Sequence, residues 1–387
     1  MTVRVFGASF VVTILALIAA YLYAGMSGLA ICAILAILEI SLSFDNAVIN
    51  ATVLERMSPF WQRIFLTVGI LIAVFGMRLL FPLAIVWATA GLNPVQAMDL
   101  ALNPPANDAP AFPDGSPSYE TLLTDAHPQI AAFGGMFLIM LFLDFVLTSK
   151  NLTWISPIED PLSKVGRLPN VPTVIALGAL IIAVQFAEPG DTTTVLTAGI
   201  LGLLTYLVVN GLTGFMESEE PGSGEPGSDE AGSARPGGPT KATQAVGKAG
   251  FFLFLYLEVL DASFSFDGVI GAFAITSDPI LIALGLGFIG AMFVRSITIY
   301  LVRAGTLSEY RYLEHGAHWA IGALATIMLV SIHVEVPELI TGLIGVAFIG
   351  AATVSSIWAN RRDARSDDQP NSDEQSGSDR SDVGTAP

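Results

Sequence analysis

Long runs of apolar residues recur along the chain, each close to the roughly 20 residues an α-helix needs to cross a bilayer. Ten runs can be read, at 5–25, 29–52, 64–90, 130–148, 171–188, 195–215, 249–275, 279–303, 317–333 and 339–358. Polar residues gather between them, and three connections are long. Residues 91–128 carry Asp99, Asp108, Asp114, Glu120 and Asp125, several prolines, and no lysine or arginine. Residues 217–247 read as a flexible acidic linker rich in Gly, Pro and Ser. Residues 359–387 read as a disordered acidic tail. The pattern predicts an all-α polytopic membrane protein of about ten transmembrane helices. The linker separates a first membrane half, 1–216, from a second, 248–358.

Composition agrees with this reading. The 387 residues are 53% hydrophobic and 13% charged, against about 25% charged in soluble domains. Of the 17 Lys and Arg, Arg78 and Arg295 fall inside runs; all the others fall on one side of the membrane when ten spans are threaded. That asymmetry places both termini in the cytoplasm of a multi-pass protein of the cell membrane. Arg4 ahead of the first run also fits a signal peptide, but the run is long for one. The net charge of −17 and only four lysines fit a high-salt, halophile cytoplasm. No basic stripe for nucleic acid is present. The single cysteine, Cys32, excludes an internal disulfide and a cysteine metal cluster.

One polar pattern sits inside the runs and occurs twice. Glu39-Ile-Ser41-Leu-Ser43-Phe44-Asp45-Asn46 returns 222 positions later as Asp261-Ala-Ser263-Phe-Ser265-Phe266-Asp267-Gly268. Charged groups in lipid are costly and mark partners or pathways. An odd number of spans relates the two copies, so they run in opposite directions. That is the signature of two inverted five-helix repeats, with a site between them near the midplane. On a helix, Glu39, Ser43 and Asn46 share one face, and Ser41 and Asp45 the next. In the second copy Asp261, Ser265 and Gly268 share a face, extended backwards by Glu258, with Ser263 and Asp267 beside it. All these donors are oxygens, a set suited to Mg²⁺, Ca²⁺ or Mn²⁺ rather than Cu⁺ or Zn²⁺. The only histidine read near a span is His333, at a span end. The four motif acids also have the chemistry to shuttle protons. The serines taken alone fit helix packing as well as ligation.

Arg78 and Arg295 each follow a motif by about 30 residues and read as internal counter-charges, or as the lining of an anion pathway. Asp144 either joins the site or sits near the interface beside Lys150. No GxxxxGK[ST] segment offers ATP coupling, and no Ser/His or HExxH arrangement within spans offers hydrolysis.

The motif residues resemble the TerC-like membrane proteins, a family named for tellurium resistance and grouped with LysE-type exporters. The resemblance rests on Glu39 to Asn46 and on Asp261 to Asp267 with the following Ala272-Phe-Ala-Ile-Thr276-Ser-Asp278-Pro279. Tyr312-Leu-Glu314-His315-Gly-Ala317 adds to it, as the start of a late span. It covers roughly 29–170 and 249–335. It implies a metal-ion transporter, several members being associated with manganese efflux, and on that basis Glu39, Asp45, Asn46, Asp261 and Asp267 are carried over as ion ligands. Phe44, Phe266, Gly268 opposite Asn46 and the long 91–128 segment depart from the common pattern and look like a sister branch. The expectation is a non-enzymatic secondary exporter of a divalent cation, most simply manganese, with no resident cofactor and with the ion and the bilayer as partners. The alternative is a TerC-like membrane assembly protein in which the acids and arginines form a structural ion-pair network. Oligomeric state is not legible.

Overall fold

The computed structural model describes residues 2–42, 44–69, 71–105, 109–150, 152–188, 190–218, 247–273, 275–276, 278–303, 310–334 and 336–367. Among them the protein is all-α, with no β-strand. Five helical segments are long and apolar enough to cross a membrane: Val5–Ile40, His127–Leu147, Thr192–Leu212, Pro279–Val302 and Ile340–Asp363. The chain is thus a membrane protein. Others among the expected runs are shorter, as at Val171–Phe186, or interrupted by charge, as in Gly247–Phe273 with its motif acids.

Helix α1 (Thr2–Leu42) is broken at Ala24 and Gly25, where Gly25 has φ +67°. The chain doubles back there, because a Cβ on Gly28 would lie 2.6 Å from the carbonyl oxygen of Ala20. Contacts on either side agree. Ser9 bonds Met292 and Ser296, and Val5 accepts from Ser296, an antiparallel course. Cys32 and Glu39 abut Gly285 and Gly290, a parallel course. The expected separation of runs 5–25 and 29–52 therefore has its turn at Gly25, a residue that adopts the left-handed region without strain.

Helix α2 (Phe44–Leu54) continues the first motif, and α3 (Pro59–Ile64) leads into two π-helical stretches, Phe65–Gly69 and Ile72–Leu80. Helix α4 (Phe81–Ala90) ends at Gly91 in the left-handed conformation, a common helix stop. The chain then bends by 116° into α5 (Pro94–Leu102). The 91–128 segment is not the open loop its composition implies. Asn93 and Gln96 form a reciprocal capping box with Pro94 in the first turn, and Ser118 caps α6 (Tyr119–Asp125). Ala97, Ala101, Tyr119 and Leu123 from these helices pack with Val86, Leu35, Val269 and Ala272, sealing one end of the motif helices.

The main core gathers α7 (His127–Leu147), α9 (Val171–Phe186), α10 (Thr192–Ser218), α11 (Gly247–Phe273) and α14 (Leu313–Ser331). Glycines permit the close crossings. A Cβ on Gly202 would meet the Phe133 carbonyl at 2.1 Å, and one on Gly322 the Phe142 ring at 2.7 Å. Gly134 abuts Met328, so α7 and α14 run antiparallel. Helix α8 (Ser156–Val165) lies between α7 and α9, while α12 (Pro279–Ile282), a third π-helical stretch at Ala283–Gly290 and α13 (Ala291–Arg303) run in series. Helix α15 (Glu338–Asp367) closes the described chain.

Candidate functional site

Both motif helices bury their acids. Glu39, Asn46, Glu258, Asp261 and Ser263 are all less than one-tenth exposed. Nearly apolar helices on every side leave these groups only each other for solvation, so each must find a partner or a ligand.

Glu39 has such a partner. Its carboxylate accepts from Arg78 Nη2, and both side chains are buried. Arg78 stands in the π-helical stretch Ile72–Leu80. The Glu39 side chain lies across Gly290, where a Cβ would collide with its Cγ at 2.1 Å. A Cβ at Gly268 would sit 3.2 Å from Glu39 Oε2. A side chain at Gly268, the position that matches Asn46 in the other copy, would therefore press on the Glu39 carboxylate. Arg78 thus stands as a buried counter-charge to Glu39.

Asp261 is held by amides of the opposite motif helix. Asn50 Nδ2 donates to Asp261 Oδ1 at 3.0 Å, and Asn46 also hydrogen-bonds this carboxylate. The i, i+4 spacing of Asn46 and Asn50 on α2 makes the pairing possible. Asn50 lies outside the duplicated motif and was not among the expected residues, although its helical spacing from Asn46 was the signal for it. Donation to the carboxylate fixes the Asn50 amide, and its Oδ1 then has no hydrogen-bond partner among the described residues although the residue is 1% exposed.

These groups meet at a small, partly open cleft, with Asn46, Asn50, Arg78, Asp261, Arg295 and Thr298 as polar lining. Arg295 Nε donates to the carbonyl of Leu66 at 2.9 Å. Leu66 lies in the π-helical turn Phe65–Gly69, whose altered hydrogen-bond register frees such carbonyls. Arg295 thus serves the backbone of the other half as well as bringing positive charge to the cleft.

One expectation is revised and two open readings are narrowed. Ser263 donates to the Val259 carbonyl at 3.0 Å on its own helix and packs against Gly134 of α7, a packing role. Asp144 accepts from Tyr206 at 2.7 Å and does not line the cleft. Histidine was expected only at His333, yet His315 and His318 are buried on α14. The side chains of Ser41, Ser43, Asp45, Ser265 and Asp267 lie outside the described residues. Among the described residues no three His, Cys, Asp or Glu side chains converge to hold a metal. The oxygen donors brought together at the cleft are one carboxylate and two amides, with Glu39 one ion pair away.

A second polar cluster, missed in the sequence, joins α8 to the start of α14. Glu159 is 5% exposed. It accepts from Trp319 Nε1 at 2.9 Å and Trp154 N at 2.9 Å, and His315 Nδ1 lies 3.2 Å away. Burial works to raise the Glu159 carboxyl, but these donors and the charge of His315 hold it below its ordinary value. Arg56 pairs with Glu314 at 3.3 Å. His318 stacks on Phe145 and donates Nδ1–H to the Glu314 carbonyl at 2.8 Å, an atom that can only accept. Lys150 lies over the other contact face of Phe145, and burial, against the pull of Glu314 and Glu159, lowers its ammonium to about 7.

No curated protein and no solved structure matches the chain. A family model described as a protein of unknown function, DUF475, matches residues 44–363. That match takes in α2 with Asn46 and Asn50, the Arg78 stretch, α11 and the Glu159–His315 cluster, and it spans most of the chain; the protein belongs to the DUF475 family.

Proposed function

We propose that this protein is a secondary transporter that exports a divalent metal cation, manganese, across the cell membrane. The observation that carries the reading is the meeting of Asp261 with Asn46 and Asn50 at a partly open cleft beside the Glu39–Arg78 pair. A buried acid, a buried amide oxygen without a donor and an adjacent neutralised acid make a hard-oxygen environment for a divalent ion. Asp45 and Asp267 complete the ligand set in this proposal, and the resemblance to TerC-like proteins supports the choice of manganese.

In this reading ten spans form two inverted repeats with both termini in the cytoplasm. The reversal at Gly25, the π-helical stretches after both motifs and the antiparallel packing of α7 on α14 favour it. The boundary between repeats then falls before Thr192, since α10 precedes the linker; the linker lies inside the second repeat and does not divide the halves. The first helices of the two repeats are placed differently, α10 against α7 and residues 2–23 against α13. Alternating access would rock one repeat on the other around the cleft.

Reconstitution tests it. Proteoliposomes holding the full chain take up Mn²⁺ in competition with Ca²⁺, Mg²⁺ and Zn²⁺, and Asp45→Asn and Asp267→Asn each reduce uptake at least tenfold while remaining folded and inserted. Wild-type rates in both variants, or Zn²⁺ outcompeting Mn²⁺, sink the proposal. A second reading, a non-transporting assembly protein, is favoured by the closure of Glu39 on Arg78 as a buried ion pair. It is supported instead if neither wild type nor variants move any of the four metals.

A further inference from the structure

Glu258 lies one helical turn before Asp261, on the same face of α11. It is 5% exposed, and among the described residues both carboxyl oxygens lack a hydrogen-bond partner. Its Oε1 lies only 2.7 Å from where a Cβ on Gly69 would sit, and Gly69 is part of the cleft wall. The carboxyl is therefore lodged against the edge of the site through a residue that has no side chain to keep it out. Nearby charges are already engaged: Arg78 with Glu39, Arg295 at Leu66, Asp261 with two amides.

The repeat makes this residue stand out. At the matching place in the first copy, 222 positions earlier, the residue is Ala36, which is buried among apolar neighbours. Glu258 is thus an acid that the duplicated site does not need for its symmetry. An unpartnered carboxyl in an apolar interior is tolerated only when something neutralises it. One carboxyl with no second acid at hydrogen-bond distance among the described residues matches one unit of positive charge rather than two.

We propose that Glu258 binds the monovalent cation, a proton or Na⁺, that is exchanged for the divalent ion. The inference rests on the transport reading for its role in the cycle, while cation binding at Glu258 is measurable without transport. The cation neutralises Glu258 when the Asp261 site is empty, and arrival of a divalent ion one turn away favours its release on the same side.

Two measurements on the full chain test it. In proteoliposomes, Mn²⁺ flux is followed while a pH gradient or a Na⁺ gradient is imposed in separate arms. Wild-type flux responds at least tenfold to one of them; in Glu258→Gln, and in Glu258→Ala which restores the first-copy residue, the response to either gradient is flat whatever the residual rate. Difference infrared spectroscopy on detergent-solubilised protein then reads the carboxyl directly. A carboxyl band changes on titration with acid or Na⁺ in wild type and disappears in both variants. A variant that keeps the gradient response, or a wild-type band that survives Glu258→Gln, overturns the proposal. Spectral binding at Glu258 without any Mn²⁺ flux overturns the transport reading and leaves the cation site standing.

Discussion

Glu159 and Glu258 are equally hidden, each 5% exposed, and their surroundings are opposite. Glu159 accepts from an indole, a backbone amide and a histidine. Glu258 has no donor at either oxygen among the described residues. The fold can thus satisfy a deeply buried carboxylate where the carboxylate is structural, joining α8 to α14. Leaving Glu258 unsatisfied one turn from Asp261 is a cost in stability of the kind that persists at sites of function. The same contrast divides the motif copies. The first copy's acid is neutralised by Arg78, while the second copy's Asp261 has amide partners. Duplication set the geometry, and the placement of counter-charge made its two halves unequal.

The comparison can be broken most forcefully at Arg78. Arg78→Met strands Glu39 in the interior and should cost about 3–5 kcal/mol, read as loss of the folded protein in detergent thermal melts. Adding Glu39→Gln should recover most of that loss; no recovery would mean that Arg78 does not act through Glu39. Glu159→Leu comes next, because it orphans two N–H donors and a histidine, at about 2–3 kcal/mol. A melt unchanged by Glu159→Leu would remove the contrast with Glu258.

Lys150 gives a pH signature. Its folded value of about 7 lies below the ordinary lysine value of 10.5, so between those values the unfolded chain holds a proton that the folded chain has shed. Stability therefore rises with pH across that window. Screening at the exposed part of the side chain leaves about 1 kcal/mol of the effect. Lys150→Met should be more stable than wild type near pH 7 and should flatten the slope of melting temperature against pH. The smallest expected change is at Glu258: Glu258→Gln should be neutral or slightly stabilising, within about 1 kcal/mol, in melts run beside Glu159→Leu.

Much of the candidate site was legible because lipid makes charge conspicuous. Glu39, Arg78 and Asp261 stand out in apolar runs, and the need for a counter-charge pointed at Arg78. Asn50 escaped because a neutral amide carries no such alarm, and its importance comes only from facing Asp261 across two helices. The Glu159 cluster escaped for a related reason. Its members lie in connections and at a helix start, where charges are ordinary until folding buries them. The helices of 91–128 were legible after all, in Asn93-Pro94-Val-Gln96 as a capping box, but acidic composition outweighed that local signal.

The sequence by itself determined that the chain is an all-α membrane protein and that an acidic motif occurs twice within its apolar runs. Those follow from periodicity and from the cost of charge in hydrocarbon, which act residue by residue. Only the tertiary structure decided which acid is paired with Arg78, which is held by amides and which is left without a partner. Those outcomes depend on which helices cross, where glycines such as Gly69, Gly268 and Gly290 let side chains approach, and which carbonyls the π-helical turns release.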